Sequence, residues 1–89
     1  MRDIKPVTNP RVLPKNGDIG QLNRIYREWK EAVEAYYSND EAHTDEEIVD
    51  IMVACRTLLY MRGCSPQEVD HIIEYVEIKN ERRGYYEQA

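Results

Sequence analysis

The sequence predicts an all-α fold, in which a three-helix subunit with an extended N-terminal arm assembles into an oligomeric helical bundle. Apolar residues recur every three or four positions from residue 18 onward, which is the spacing of amphipathic helices. Helix-start and helix-stop residues separate three such stretches. Because the chain has only 89 residues, three helices enclose a thin core, and short chains bury a small share of their surface. Oligomerisation would be an ordinary remedy for this shortage of core.

The arm is predicted over residues 1–17. Pro6, Pro10 and Pro14 recur every fourth residue. Each lacks a backbone donor and disfavours helix at the residue before it. We therefore expect an extended arm, followed by a helical domain over residues 18–84 and a tail over residues 85–89.

The first helix is expected to begin at Asp18, since Asp18 and Gln21 have the spacing of a capping box. It should end near Ser38. The other face is charged, whereas the predicted core stripe consists of apolar residues at helical spacing: Ile19, Leu22, Ile25, Tyr26, Trp29, Val33, Tyr36 and Tyr37.

The second helix is expected to open with a capping box of Thr44 and Glu47 and to stop at Gly63. Apolar residues lie on more than one of its sides, so we expect more than one partner to cover it. The predicted core stripe is Ile48, Ile51, Met52, Cys55 and Leu59, and a second strip is Val49, Val53 and Tyr60.

The third helix has the clearest start signal. Ser65 is the expected cap, Pro66 occupies the first helical position, and Glu68 completes a capping box. Gly84 should end the helix. Since the connections are short, consecutive helices are predicted to be antiparallel neighbours.

Composition excludes several classes of protein. The formal net charge of −5 argues against non-specific binding to nucleic acid or to anionic lipid, because both favour a positive surface. Cys55 and Cys64 form no metal-binding or C-x-x-C pattern, and Cys55 is interpreted as a small core residue in a reducing compartment. With no signal peptide and no apolar run of spanning length, we expect a cytoplasmic protein with no membrane contact.

Two pairs of acids, Glu47 with Asp50 and Glu31 with Glu34, have the spacing that places both members on one side of a helix. Magnesium prefers hard oxygen ligands, so two such pairs on neighbouring helices would suit Mg²⁺, with Mn²⁺ as an alternative. The other interpretation is two solvated helix faces, because 33% of the residues are charged and acids are common on such surfaces. Glu47 would also serve as a helix cap.

The order of these motifs resembles that of a known family. The pattern E-x-x-E from Glu31, E-x-x-D from Glu47, the tight turn at residues 62–68 and the Lys79-Asn80-Glu81-Arg82 ending are similar to those of the MazG-like all-α nucleoside triphosphate pyrophosphohydrolases. The resemblance covers about Arg27 to Tyr85. It implies magnesium-dependent hydrolysis of (deoxy)nucleoside triphosphates to monophosphate and pyrophosphate, of the house-cleaning or nucleotide-pool type.

The resemblance also implies roles for individual residues. The metal ligands would be Glu31, Glu34, Glu47 and Asp50, and the catalytic carboxylates would be Glu34, Glu47 and Asp50, with Glu34 as a possible general base. Lys79, Arg82 and Arg83 would contact phosphate oxygens, Asn80 the sugar or base, and Trp29 would stack on the base unless it packs in the core. Another register, Glu28 with Glu31, remains open for the first acidic pair. Active sites of the family form between paired subunits, which implies a homodimer or a homotetramer.

A different class of function is also consistent with the sequence. A small acidic helical interaction protein, such as a phage- or plasmid-type inhibitor or regulator without catalysis, fits the length and the charge. The seven tyrosines fit it too, since tyrosine is favoured in interface anchors. His43, expected in a loop, and His71, expected on an exposed side, point to no catalytic set.

Overall fold

The computed structural model describes residues 4–87 and contains three α-helices, α1 (Asp18–Tyr37), α2 (Glu41–Met61) and α3 (Pro66–Arg82). No strand occurs in this part of the chain, so the prediction of an all-α chain with three helices is confirmed. Residues 1–3 of the predicted arm and residues 88–89 of the predicted tail lie outside the described residues. No helix within residues 4–87 is both long and apolar enough to cross a membrane.

Helices α1 and α2 form an antiparallel hairpin. The start of α1 meets the end of α2, where Arg62 Nη1 donates to Asp18 Oδ2 at 2.9 Å. One turn further on, Gln21 Nε2 donates to the carbonyl oxygen of Ala54 at 3.0 Å. Small side chains let the two backbones approach closely, and three of them are buried: Ala32, Ala35 and Ala54.

The first turn of α1 differs from the predicted capping box. Gly17, with φ 71°, precedes the helix and no side chain caps it. Asp18 is the first helical residue and pairs with Arg62 instead. Gln21 is only 1% exposed, because its amide is used in the contact with α2. The start at Asp18 is confirmed, and the capping box is wrong.

Helix α2 begins three residues before the expected Thr44. Asp40 is its N-cap, and its Oδ1 accepts from the backbone N–H of His43 at 3.1 Å. Thr44 Oγ1 donates back to the Asp40 carbonyl at 2.7 Å, as hydroxyls inside helices commonly do. The predicted capping box of Thr44 and Glu47 is therefore wrong. His43 lies on the first turn rather than in a loop, and Glu47 has no capping role.

Helix α3 begins as predicted. Ser65 Oγ accepts from the Glu68 N–H at 3.1 Å, and Glu68 Oε1 accepts from the Ser65 N–H at 3.3 Å. Beyond this start, however, α3 makes little contact with the other helices, and Val69 is its only buried residue. The antiparallel packing of neighbours is thus confirmed for α1 and α2 but not for α3. An apolar cleft of about 830 Å³ separates α2 from α3.

The segment before α1, residues 4–17, is neither helix nor strand. Two polar contacts hold it against the hairpin. The Val7 N–H donates to Thr57 Oγ1 at 3.0 Å, and that hydroxyl donates to the Val53 carbonyl at 2.8 Å. Arg24 Nη1 donates to the carbonyl oxygen of Val12 at 3.0 Å. The segment is therefore bonded to both helices of the hairpin.

The predicted core stripes are largely exposed in the single subunit. Trp29 is 53% exposed and Ile19 is 59% exposed. Cys55, predicted as a core residue, is also exposed. The prediction of a core built on these stripes is wrong for one chain, because the hairpin closes on its alanine and polar faces instead. Other stripe residues left exposed are Leu22, Tyr26, Tyr36, Tyr37, Ile48, Val49, Met52 and Tyr60.

Candidate metal centre

Three carboxylates meet where the middle of α1 packs on the first half of α2. One oxygen from each of Glu28, Glu47 and Asp50 lies within 4.8 Å of the others. Glu28 comes from α1, whereas Glu47 and Asp50 come from consecutive positions on one side of α2. Glu28 is half-buried, Glu47 is buried and Asp50 is exposed. This acidic trio (Glu28, Glu47, Asp50) therefore joins one buried, one half-buried and one exposed carboxylate.

Glu47 is the most constrained member of the trio. The residue is 8% exposed, and its Oε2 is buried without a hydrogen-bond partner in the described part of the chain. Its other oxygen, Oε1, lies 3.4 Å from His43 Nε2 one turn earlier on the same helix. A buried carboxylate oxygen without a partner is costly. A cation placed between the trio would satisfy it.

Burial and mutual repulsion both disfavour the charged forms of these acids. Burial raises the pKa of Glu47, as do the negative charges of Glu31 and Asp50, while His43 lowers it. Burial likewise raises the pKa of Glu28, followed by the charges of Glu31, Asp50 and Glu47. A divalent cation would reverse the sign of this local field, because its own charge is the largest in such a site.

Glu31 lies at the edge of the trio. Its charge acts on both Glu28 and Glu47, and a hydrogen bond to either one also raises that residue's pKa. Glu31 is therefore coupled electrostatically to both Glu28 and Glu47.

The structure favours one of the two registers left open for the first acidic pair. Glu28 lies with Glu47 and Asp50, and the charge of Glu31 acts on Glu28 and Glu47, whereas Glu34 is exposed and outside the trio. The contact face of α1 explains this placement, since Ala32, one turn after Glu28, is buried against α2. Sequence spacing alone could not decide between Glu28 and Glu34, because both lie three residues from Glu31.

The basic residues predicted to bind phosphate lie elsewhere in the subunit. Lys79, Arg82 and Arg83 line a groove of about 380 Å³ on α3, together with Tyr75 and Ile78. The ammonium of Lys79 lies 5.9 Å from the centroid of the Tyr75 ring. Within residues 4–87 none of the three bases forms an ion pair with the trio. One subunit therefore does not bring these bases to the acids.

Two further predicted contacts are also separate from the trio. Asn80 Nδ2 donates to the Tyr86 hydroxyl at 3.5 Å. Trp29 stacks on Tyr26, with ring centroids 5.9 Å apart and planes inclined by 22°. Both aromatic rings are exposed, so neither packs in the core of the subunit, and each is accessible to a ligand or to another chain.

Comparisons with models of protein families, with curated proteins and with solved structures found no match for this chain.

Proposed function

We propose that the protein hydrolyses (deoxy)nucleoside triphosphates to monophosphate and pyrophosphate, with Mg²⁺ or Mn²⁺ as cofactor. The observation that carries the proposal is the buried, unpartnered Oε2 of Glu47 within a trio of carboxylates whose oxygens lie within 4.8 Å of one another. The motif order that resembles the MazG-like family supports the same reaction. We place the activity in the cytoplasm, where the free thiols of Cys55 and Cys64 stay reduced.

The residues fit a hard divalent cation. Glu28, Glu47 and Asp50 would hold it, and Glu31 would lie beside it. Magnesium binds to one or a few carboxylates, keeps several waters and completes its shell with substrate phosphates. When bound, the cation neutralises charge on the phosphates and activates a water molecule. The solvent-exposed position of Asp50 leaves room for a polyphosphate on that side of the trio.

The α-phosphorus and the β-phosphorus are joined by a bridging oxygen, and the reaction breaks one of the two P–O bonds of this bridge. Water adds its oxygen to the phosphorus, and its proton needs an acceptor. We propose Glu31 for this role, because its carboxylate is exposed and its charge acts on both Glu28 and Glu47. Glu34, the residue that the family resemblance favoured as base, lies outside the trio.

The basic end of α3 completes this proposal only in an oligomer. Lys79, Asn80 and Arg82 lie near the end of α3 and Arg83 follows it, on a helix that makes few contacts with the hairpin of its own chain. We propose a homodimer or homotetramer in which α3 of one subunit supplies phosphate and sugar contacts to the trio of another. Trp29 would stack on the base under the same condition, since it lies on the solvent side of α1.

The direct test is pyrophosphate release from a panel of ribonucleoside and deoxyribonucleoside triphosphates with Mg²⁺ or Mn²⁺. Turnover should require the cation and should be lost in Glu47→Gln, which keeps the shape of the side chain but removes its charge. Glu46→Gln is the matched control, because Glu46 is the exposed neighbour outside the trio. No turnover of any nucleotide at high protein concentration would contradict the enzymatic proposal.

The exposed aromatic stripe of α1 favours a second candidate, an interaction protein without catalysis. Tyr26, Trp29 and Tyr36 are each more than half exposed, and such residues are enriched in interface anchors. This candidate predicts a folded protein whose melting temperature does not respond to Mg²⁺ or Mn²⁺. A cation response that disappears in Glu47→Gln would exclude it in favour of a metal-dependent function.

A further inference from the structure

The cleft of about 830 Å³ between α2 and α3 has apolar walls on both sides. On each wall the apolar residues recur at steps of three or four, apart from one adjacent pair on α2. Such spacing is the pattern with which one helix packs along another. We call this feature the α2–α3 cleft, and its apolar walls consist of Ile51, Met52, Cys55 and Leu59 on α2 and Val69 and Ile73 on α3.

The α2–α3 cleft is long and open. At about 1.5 Å per residue, the α2 wall from Ile51 to Leu59 runs for about 12 Å, or slightly more than two helical turns. Met52 and Ile73 are each 39% exposed on opposite walls. Sites for small molecules enclose most of the ligand surface, which these open walls do not do. The shape therefore suits an elongated occupant that lies along the cleft.

A helix is the elongated occupant that fits these walls. A helix in a groove inserts side chains spaced by three, four and seven residues, and two turns of wall accept such a set. An extended peptide adds to the edge of a sheet instead, and residues 4–87 contain no strand. Met52 also suits a helix-binding surface, because its flexible side chain adapts to the shape of a partner.

Three acids of α3 give the α2–α3 cleft a negative rim. Asp70, Glu74 and Glu77 line it at steps of four and three, so they lie on one side of α3. All three are exposed, and none forms an ion pair within residues 4–87. Arg56 is the one base among the described residues that line the cleft, and it is only 6% exposed. An occupant therefore meets the carboxylates of these rim acids (Asp70, Glu74, Glu77).

We infer that the α2–α3 cleft binds a basic amphipathic helix of another protein. The apolar side of that helix lies between α2 and α3, and its Lys or Arg residues pair with the rim acids. Charge complementarity selects this occupant, since an acidic helix would be repelled. The inference goes beyond the proposed function and does not depend on catalysis, because the cleft and the acidic trio share no residue.

The loose attachment of α3 gives binding a structural consequence. Val69 is the only buried residue of α3, and the helix makes few contacts with the hairpin. A helix in the cleft contacts both walls and so joins α3 to α2. Amide exchange in α3 should therefore slow when the cleft is occupied.

The first experiment measures binding to a fluorescein-labelled peptide of leucine and lysine, arranged as an amphipathic helix, by fluorescence anisotropy at low ionic strength. The full chain should bind it with a micromolar dissociation constant. The control peptide has the same leucines with glutamate in place of lysine and should bind at least about tenfold more weakly. No binding of the lysine peptide, or equal binding of both peptides, would overturn the inference.

Neutral rim acids locate the interaction. The triple variant Asp70→Asn, Glu74→Gln, Glu77→Gln should raise the dissociation constant of the lysine peptide at least about tenfold. Added salt should weaken binding to the wild type and have less effect on the variant, because exposed charges are screened. A triple variant with wild-type affinity would exclude the rim acids as the binding partners.

A second triple variant is the matched control for net charge. Glu41→Gln, Asp45→Asn, Glu46→Gln removes the same number of negative charges from exposed positions on α2 outside the cleft. It should bind the lysine peptide like the wild type. Equal losses in both triple variants would show general attraction to an acidic chain and would overturn the inference.

Two neighbouring isoleucines test the apolar walls. Ile72 and Ile73 are both exposed on α3, but only Ile73 lines the cleft. Ile73→Ser should weaken binding of the lysine peptide about tenfold, and Ile72→Ser should not. Thermal unfolding of both variants establishes that each is folded. Folded variants with equal affinities would contradict insertion of the peptide between the walls.

The two cysteines test occupancy in the unaltered chain, which keeps the test valid if a variant fails to fold. Cys55 lies in the cleft, whereas Cys64 lies in the turn before α3. Saturating lysine peptide should slow alkylation of Cys55 and leave that of Cys64 unchanged. Unprotected Cys55 in the complex would overturn the inference. Protection of Cys55 without peptide, increasing with protein concentration, would overturn it in favour of a second copy. Since pyrophosphate release is assayed separately, either proposal can fail without the other.

Discussion

The placement of Glu28 rather than Glu34 in the acidic trio predicts different effects of two conservative variants. Glu28→Gln removes one of three carboxylates within 4.8 Å of one another, whereas Glu34→Gln changes an exposed side chain outside the trio. The wild-type protein should bind Mg²⁺ or Mn²⁺ in the native state only. Glu28→Gln should lose most of the resulting stabilisation, and Glu34→Gln should keep it.

The magnitude follows from linkage. A ligand that binds only the native state stabilises it by about 2.7 kcal/mol at a free concentration 100 times its dissociation constant. For a domain of this length, each kcal/mol raises the melting temperature by roughly 4–8 °C. Saturating cation should therefore raise the melting temperature of wild type and Glu34→Gln by about 10–20 °C. Without cation, Glu28→Gln should melt no lower than wild type, because it relieves repulsion within the trio.

Differential scanning fluorimetry over a titration of each cation measures both effects. Glu46→Gln, on the exposed side of α2, controls for the loss of one negative charge. A cation response in Glu28→Gln like that of wild type, together with its loss in Glu34→Gln, would refute this placement, since the opposite register would then supply the ligands. A Glu28→Gln variant that melts well below wild type without cation would also refute it, because the carboxylate would then be stabilising rather than strained.

Three further predictions follow from individual contacts. Glu28 and Glu47 have raised pKa values in the folded state, so the cation-free protein should gain stability as pH falls from neutral through those values, and cation affinity should fall over the same pH window. Urea unfolding as a function of pH measures the change in stability, and a stability that falls as pH falls through this window would contradict the prediction. Thr57→Val removes the acceptor of the Val7 N–H and should lower the free energy of unfolding by about 1–3 kcal/mol, with faster proteolysis in the segment before α1. Unchanged stability and unchanged cleavage would show that this contact is dispensable. Ser65→Ala removes the cap of α3 and should cost about 0.5–2 kcal/mol of helix stability; unchanged amide exchange in the first turn of α3 would refute that role.

The sequence predicted the helices better than their packing. Local chemistry decides where α3 begins, and the Ser65 and Glu68 capping box is present as predicted. The start of α2 was misplaced because Asp40 competes with Thr44 as a cap and allows one more turn to form. The turn at Gly63, with φ 84°, followed from the need for a left-handed residue after α2.

Periodicity identified the apolar faces but not what covers them. The stripe from Ile19 to Tyr36 is regular in sequence, yet the hairpin buries Gln21, Ala32 and Ala35 instead. A stripe of this kind reports only that a face needs a partner, which can be the same chain or another one. Likewise, Glu28 and Glu34 are equivalent by spacing around Glu31, and only the rotation of α1 against α2 distinguishes them.

The two sides of the hairpin affect the stability of the fold in opposite ways. On the polar side, ionised Glu28 and Glu47 repel their neighbours and oppose folding until a cation is bound. On the apolar side, exposed side chains such as Ile19, Leu22 and Trp29 gain free energy of burial only when another chain covers them. Because these sides share few groups, stabilisation by cation and by assembly should be nearly additive. In the proposed oligomer, a subunit whose buried apolar residues are three alanines and one valine would tolerate a strained acidic site, because assembly would supply the stability that the site removes.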